Sequence, residues 1–303
     1  MKRKVSLIGP STLMVSLPSK WVKDNNVRKG DEIDVVLKEG SLIISAGSTG
    51  SDIKKVELEK HEIGPFTDNL LPYLYRKGYD EIRIVANLDE VFGILQRKME
   101  DLLGFEIISK TPTSLTIKNI AEPRREDFDV MLRRTFLLLL EMMENAHASI
   151  AAKDYHKLGE ISLLEKANNK YTNFCKRMIA RIGQQLGESP SLMYVIVRDL
   201  EEIADEIRNI CLLLFRSEKL LLSKESIALL KDTAALMREF YELFYKFEAI
   251  KAEKFHDDRN LLIDKSEKLL LDSKNKETAF LHHLSIAINK IANLYGPYYT
   301  MHV

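Results

Sequence analysis

Residues 4–45, KVSLIGPSTLMVSLPSKWVKDNNVRKGDEIDVVLKEGSLIIS, decide how the amino-terminal part of this chain folds. Gly9-Pro10 separates a strand ending near Leu7 from a second strand at 13–17. Pro18 ends that strand, and Ser19 stands at the cap position of a short helix, 20–25. Gly30 and Gly40 bracket a third strand, 32–37, and residues 42–45 close a hairpin with it. Four strands and one short helix in so little chain cannot enclose a hydrophobic core. The segment therefore needs a partner, and a second copy of itself is the simplest one. Its charge is also uneven: residues 1–30 carry seven Lys/Arg and one acid, whereas residues 31–46 carry one Lys and four acids. A small dimer with a basic leading half is suited to gripping a nucleic acid.

Beyond this segment the composition is that of an ordinary globular protein. The chain has 303 residues, enough for two or more domains, with 45% hydrophobic and 30% charged residues. Its formal net charge is zero, so any nucleic-acid surface must be local. Cys175 and Cys211 lie far apart without a CxxC spacing, which predicts two buried free thiols in a reducing compartment. No apolar run approaches the roughly 18–20 residues a membrane helix needs. The longest, 136–140, stops at Glu141, and the basic start Lys2-Arg3-Lys4 leads into no apolar signal region. A cytoplasmic protein without membrane insertion is expected. The seven histidines are scattered and none accompanies a nucleophile, so no enzymatic activity is expected.

Two stretches cut the chain into blocks at 1–46, 52–120 and 124–303. The first, 46–51, contains only small residues, and the second, 122–127, is charged and holds a proline. The middle block reads as strand 53–58, helix 66–76, strand 81–85, helix 89–103 and a strand pair at 105–109 and 114–118. The order β-α-β-α-β-β predicts a small two-layer α/β domain. It lacks a glycine-rich phosphate loop and a catalytic dyad, so it serves as a packing scaffold, a spacer or a ligand-sensing module.

The last block shows helical periodicity near 127–152, 155–185, 190–216, 223–251, 254–271 and 277–295, which predicts six helices. Within it Glu201-Glu202-Ile203-Ala204-Asp205 returns 88 residues later as Asn289-Lys290-Ile291-Ala292-Asn293. Ile196, Leu200, Ile203, Ile207 and Ile210 share one helical face, with Glu201 and Asp205 opposite; Leu284, Ile288, Ile291 and Tyr295 repeat the pattern, with Asn289 and Asn293 outward. Two three-helix units related by duplication account for this. Carboxylates four residues apart repel unless a positive group lies between them. That group is either Arg198 or Arg208 on a solvated ion-pair face, or a metal ion held by the acids.

The features of residues 4–45 together resemble the swapped-hairpin DNA-binding domain of the AbrB/MazE/SpoVT family. The matching elements are Ser16-Leu17-Pro18, the helix with Lys20 and Trp21, Val27-Arg28-Lys29-Gly30-Asp31 and the hairpin ending Gly40-Ser41-Leu42-Ile43-Ile44. The resemblance implies a homodimer that contacts DNA through Lys2, Arg3, Lys4, Lys20, Lys23, Arg28 and Lys29. Arg3 and Arg28 are the better suited of these to base edges. The helical block resembles a PhoU domain, the tandem three-helix repeat of phosphate-uptake regulators. Residues 200–205 match its E-x-x-x-D helix, Asn209 follows where the family commonly has an Asn, residues 152–154 match a turn, and Glu165 takes the place of a further acid.

That second resemblance implies a divalent metal or iron held by Glu165, Glu201 and Asp205. The second repeat, with Asn289 and Asn293 in place of both acids and only Asp258 and Asp264 on its middle helix, offers no equivalent set. The expected whole is multidomain α+β: an N-terminal swapped-hairpin β domain, a small α/β middle domain and a C-terminal all-α pair of three-helix bundles, as in archaeal-type phosphate uptake regulators. The implied function is a DNA-binding transcriptional regulator of phosphate uptake. The alternative is an adaptor that does not bind DNA and docks on a phosphate ABC transporter ATPase or a signalling protein.

Overall fold

Four short strands pair as two separate hairpins at the start of the chain. In the computed structural model, which describes residues 2–38, 40–46, 53–63, 67–121, 124–186, 189–217, 221–273 and 277–302, the chain divides into two compact units, Met1–Ile53 and Lys54–Val303. Of the two expected connecting stretches, 47–51 and 122–123 lie outside the described residues, as does residue 66 of the expected helix at 66–76.

In the first unit β1 (Val5–Ile8) pairs antiparallel with β2 (Thr12–Val15), and β3 (Ile33–Lys38) with β4 (Ser41–Ala46). Between the hairpins lies α1 (Ser19–Asp24). Ser19 is its first helical residue and not its cap. Pro18, fixed at φ −62°, holds the cap position and its carbonyl accepts from the Val22 N–H at 2.9 Å. Period-two alternation puts Val5, Leu7, Leu13 and Val15 on one face of the first hairpin, because Val5 pairs with Val15 and Leu7 with Leu13. In the second hairpin Val35 faces Ile44 and Leu37 faces Leu42. These apolar faces are open: Leu13 is 68% exposed and Leu37 82%. No residue of this unit whose burial is described is buried.

The second unit opens with β5 (Lys55–Glu59), α2 (Lys60–Ile63), α3 (Thr67–Arg76), β6 (Glu81–Val85), α4 (Leu88–Met99), β7 (Phe105–Thr111) and β8 (Ser114–Asn119). The sheet order is β5-β6-β8-β7, with β5 parallel to β6 and the other pairs antiparallel. The sequence pattern gives the order of elements along the chain except for α2, a single turn too short to show periodicity, and it does not give the sheet order. Ile82 and Ile84 alternate with Arg83, and Leu115 and Ile117 with Thr116, so one face of the sheet is apolar. That face joins Leu71, Tyr75, Leu95 and Phe105 in one core cluster.

The helical part comprises α5 (Arg125–Ala151), α6 (His156–Ser162), α7 (Leu164–Leu186), α8 (Pro190–Arg216), α9 (Lys224–Tyr245), α10 (Ala249–Asp272), α11 (Thr278–Asn293) and α12 (Tyr295–Thr300). Helices α5, α7 and α8 pack on one another, as do α9, α10 and α11; α8 against α11 and α5 against α9 join the two groups around one core. Ile196, Leu200, Ile203, Ile207 and Ile210 all lie in that core, as do Leu284, Ile288 and Ile291.

Two expected helices end differently. The stretch 155–185 divides at Leu163, whose N–H turns back to Glu160 O at 3.0 Å in a tight three-residue bond. The stretch 223–251 divides after Tyr245. There the Tyr298 hydroxyl donates to Leu243 O, the carbonyl that a continuing helix would offer to residue 247. No described helix is long and apolar enough to cross a membrane.

The sheet is fastened to α7 by one buried arginine. Arg177 is 2% exposed. Its Nη1 donates to Tyr75 O at 3.1 Å and Tyr79 O at 2.6 Å, and its Nη2 to Asp80 Oδ1 at 2.6 Å. Arg181 reaches Asp80 Oδ2 at 3.2 Å. Gly78, at φ +85°, makes the approach possible, since a Cβ there would stand 2.8 Å from Arg181 Cδ.

Candidate functional site: a basic head and a polar helical seam

The first candidate site is the basic surface of the amino-terminal unit. Lys2, Arg3 and Lys4 precede β1; Lys20 and Lys23 lie on α1; Arg28 and Lys29 lie in the turn before β3. All seven are exposed. Among the described residues none of them forms an ion pair. The turn is held by its own backbone, with the Arg28 N–H donating to Asp31 Oδ2 at 2.7 Å and Gly30 at φ +99°. Asp31 is thereby used to shape the turn while the Arg28 guanidinium remains available to an anion. Unpaired Lys and Arg on an exposed face supply the counterion-releasing contacts that bind nucleic-acid phosphates.

The second candidate site lies between α7 and α8. Glu201 and Asp205 face away from the isoleucine stripe, as periodicity predicts, yet they are half-buried. Helix α7 brings to the same seam Glu165, Asn169, Thr172 and Lys176, spaced three or four residues apart along one stripe, with Asn168 next to Asn169. Lys176 Nζ contacts Glu201 Oε2, which also accepts from Thr172 Oγ1 at 3.3 Å. The Asn169 amide donates to Glu165 Oε1, and Arg208 Nε stands 3.7 Å from Glu165 Oε2. Both amide atoms of Asn168 are buried without a hydrogen-bond partner, as is Asn169 Oδ1.

This arrangement departs from a solvated face closed by Arg198 or Arg208. Arg198 serves different acids, Asp199 at 2.7 Å and Glu202 at 3.5 Å. The counter-charge of Glu201 comes instead from Lys176 on the neighbouring helix. The implied metal also meets a donor set that is already occupied, since both glutamates accept from N–H or ammonium groups. Among the described residues no group of three or more His, Cys, Asp or Glu is placed to hold a metal ion. As arranged, the seam does not fit a metal.

Crowding of acids has one measurable consequence. Asp205 has its pKa pushed up from the ordinary 3.8 to about 6, first by burial, then by the charges of Glu165 and Glu201 and a hydrogen bond with Glu165; Arg208 opposes the shift. Between about pH 4 and 6 the folded chain thus holds a proton that the unfolded chain releases. By linkage this group's contribution to stability falls as pH rises through that window and stays low above it. Asp205→Asn is therefore expected to raise the urea midpoint at pH 7.5 and to leave it nearly unchanged at pH 4. Equal shifts at both values would contradict the coupling.

Two polar contacts between α8 and α11 also escaped the sequence reading. His283 Nδ1 on α11 lies 2.6 Å from Glu206 Oε2 on α8, and Lys290 contacts Glu202 a little further along the same pair of helices. The two duplicated helices thus meet through a polar ladder as well as an apolar one. The i, i+7 spacing of His283 and Lys290 was the available signal. Asn289 and Asn293 are exposed, and Asp258 pairs with Lys254 at 2.7 Å.

Residues 7–52 match the family model described as antidote-toxin recognition MazE, bacterial antitoxin. Among solved structures, the phosphate transport system regulatory protein PhoU from Streptococcus pneumoniae is similar at 17% identity with a TM-score of 0.48, covering 59% of this chain and 95% of that one. No curated protein matches. The chain thus combines a MazE/AbrB-type domain at its amino terminus, a middle sheet and a largely helical remainder.

Proposed function

We propose that this protein is a DNA-binding transcriptional regulator of phosphate uptake whose amino-terminal head dimerises and whose helical body reports the state of phosphate transport. The observation that supports the head's part most is the pairing of open apolar hairpin faces with exposed, unpaired cations in one small unit. The MazE match is to a regulatory family and not a catalytic one. Lys2, Lys4, Lys20, Lys23 and Lys29 are assigned to phosphate contacts, and Arg3 and Arg28 to base edges. The input side rests on the likeness of residues 200–205 to the E-x-x-x-D helix of phosphate-uptake regulators.

The test is a map of the protein's positions on its own genome in phosphate-rich and phosphate-starved cells. The expected result is occupancy at promoters of phosphate-transport genes that changes with phosphate supply. Occupancy unrelated to such promoters would end the phosphate reading, and absence from DNA would end the regulator reading. The zero net charge of the chain favours a second reading, in which the head is only a clasp and the body docks on a transporter ATPase or signalling protein. It predicts that absence.

A further inference from the structure

We propose that Lys176 is the built-in cation of the α7–α8 seam, supplying from within the chain the positive charge that a bound divalent metal ion would otherwise bring. This goes beyond the DNA-binding reading and does not depend on it.

Lys176 is 2% exposed, and a buried ammonium needs a carboxylate in contact with it. Glu201 is that carboxylate, and the contact is reinforced on the same oxygen by the Thr172 hydroxyl. The Arg208 side chain places a second positive charge against Glu165, whose other oxygen takes the Asn169 amide. A divalent ion entering here would be repelled by two cations, the Lys176 ammonium and the Arg208 guanidinium.

Without Lys176 the seam would present a hard cation with acids alone, Asp205 lying close enough to Glu165 and Glu201 to feel their charges. Such ions take neutral amide oxygens together with carboxylates. Asn169 Oδ1 on the α7 stripe, and Asn168 Oδ1 on the residue before it, are buried without partners. The Lys176 ammonium, in contact with Glu201, occupies the place a cation would take beside these acids. Removing that charge while keeping the aliphatic stem opens the place. Lys176→Met does so, and Lys176→Gln repeats the test with a side chain that can still donate a hydrogen bond to Glu201. Lys176→Arg keeps the charge and keeps the seam closed.

The experiment titrates the full chain with Mn²⁺ alone and measures bound metal per chain by calorimetry and by elemental content after dialysis. The wild type and Lys176→Arg are expected to retain no stoichiometric metal. Lys176→Met or Lys176→Gln, whichever keeps the wild-type helical circular dichroism, is expected to bind one Mn²⁺ per chain, at least about tenfold more tightly than the wild type. Adding Glu201→Gln should remove that binding. One Mn²⁺ per wild-type chain, abolished by Glu201→Gln, would overturn the proposal. So would a folded Lys176 variant that binds no better than the wild type. The wild-type titration alone decides the first point even where neither variant folds. DNA binding takes no part in the readout.

Discussion

Arg177→Met is expected to destabilise the second unit by about 3–5 kcal/mol, the usual cost of removing one partner from a buried ion pair. The guanidinium satisfies two backbone carbonyls and the Asp80 carboxylate at once, and it lies 5.0 Å from the Tyr75 ring and 5.1 Å from that of Phe105. Methionine fills much of the volume and none of these bonds. Asp80 would keep Arg181 at 3.2 Å and the Lys54 N–H at 2.8 Å, so it would not be wholly orphaned. Asp80→Asn should therefore cost less than Arg177→Met, and the double variant less than the sum of the two. Urea denaturation followed by far-ultraviolet circular dichroism measures all three. A loss below about 1 kcal/mol for Arg177→Met would show that the sheet and α7 are joined mainly by apolar packing.

Leu13→Asp is expected to turn the proposed dimer into monomers while leaving the second unit folded. Leu13 and Leu7 face each other across the first hairpin, beside the Val5–Val15 pair on the same face, and in a single copy all four are open to solvent. A surface aspartate on a lone hairpin would cost little. Across a self-paired interface the same change removes about 1.5–3 kcal/mol of leucine burial from each copy. It also forces a carboxylate out of water. Light scattering coupled to size exclusion reads the mass, and helical ellipticity reads the fold. A variant that stays dimeric would place the interface away from this face.

Several parts of this architecture were legible in residue order. The hairpins follow from glycine turns between alternating apolar residues. The buried stripe of α8 follows from isoleucines and a leucine at helical spacing, from Ile196 to Ile210. Periodicity says which residues share a face, but not which neighbour covers that face. For this reason Glu201 and Asp205 read as a surface pair, although both are half-buried against α7 and Lys176 answers Glu201. The polar stripe Glu165, Asn169, Thr172 and Lys176 was the signal in the sequence that α7 packs against something charged. Arg177 left no comparable trace, because its partners Tyr75, Tyr79 and Asp80 lie about a hundred residues away. The breaks at Leu163 and Tyr245 were equally hidden, since no glycine or proline marks them. The second of them coincides with a carbonyl taken by Tyr298, more than fifty residues further on.

The central claim is that the amino-terminal head holds DNA through its basic surface. The most direct test is fluorescence anisotropy of a duplex from a phosphate-transport promoter, titrated with the full-length protein over a range of salt. The account predicts that log K falls linearly with log salt, and that replacing Lys20 and Lys29 by alanine lowers both the affinity and the slope. The slope should fall by about one unit for each phosphate interaction removed. No binding at low salt, or binding unchanged by those substitutions, would contradict it.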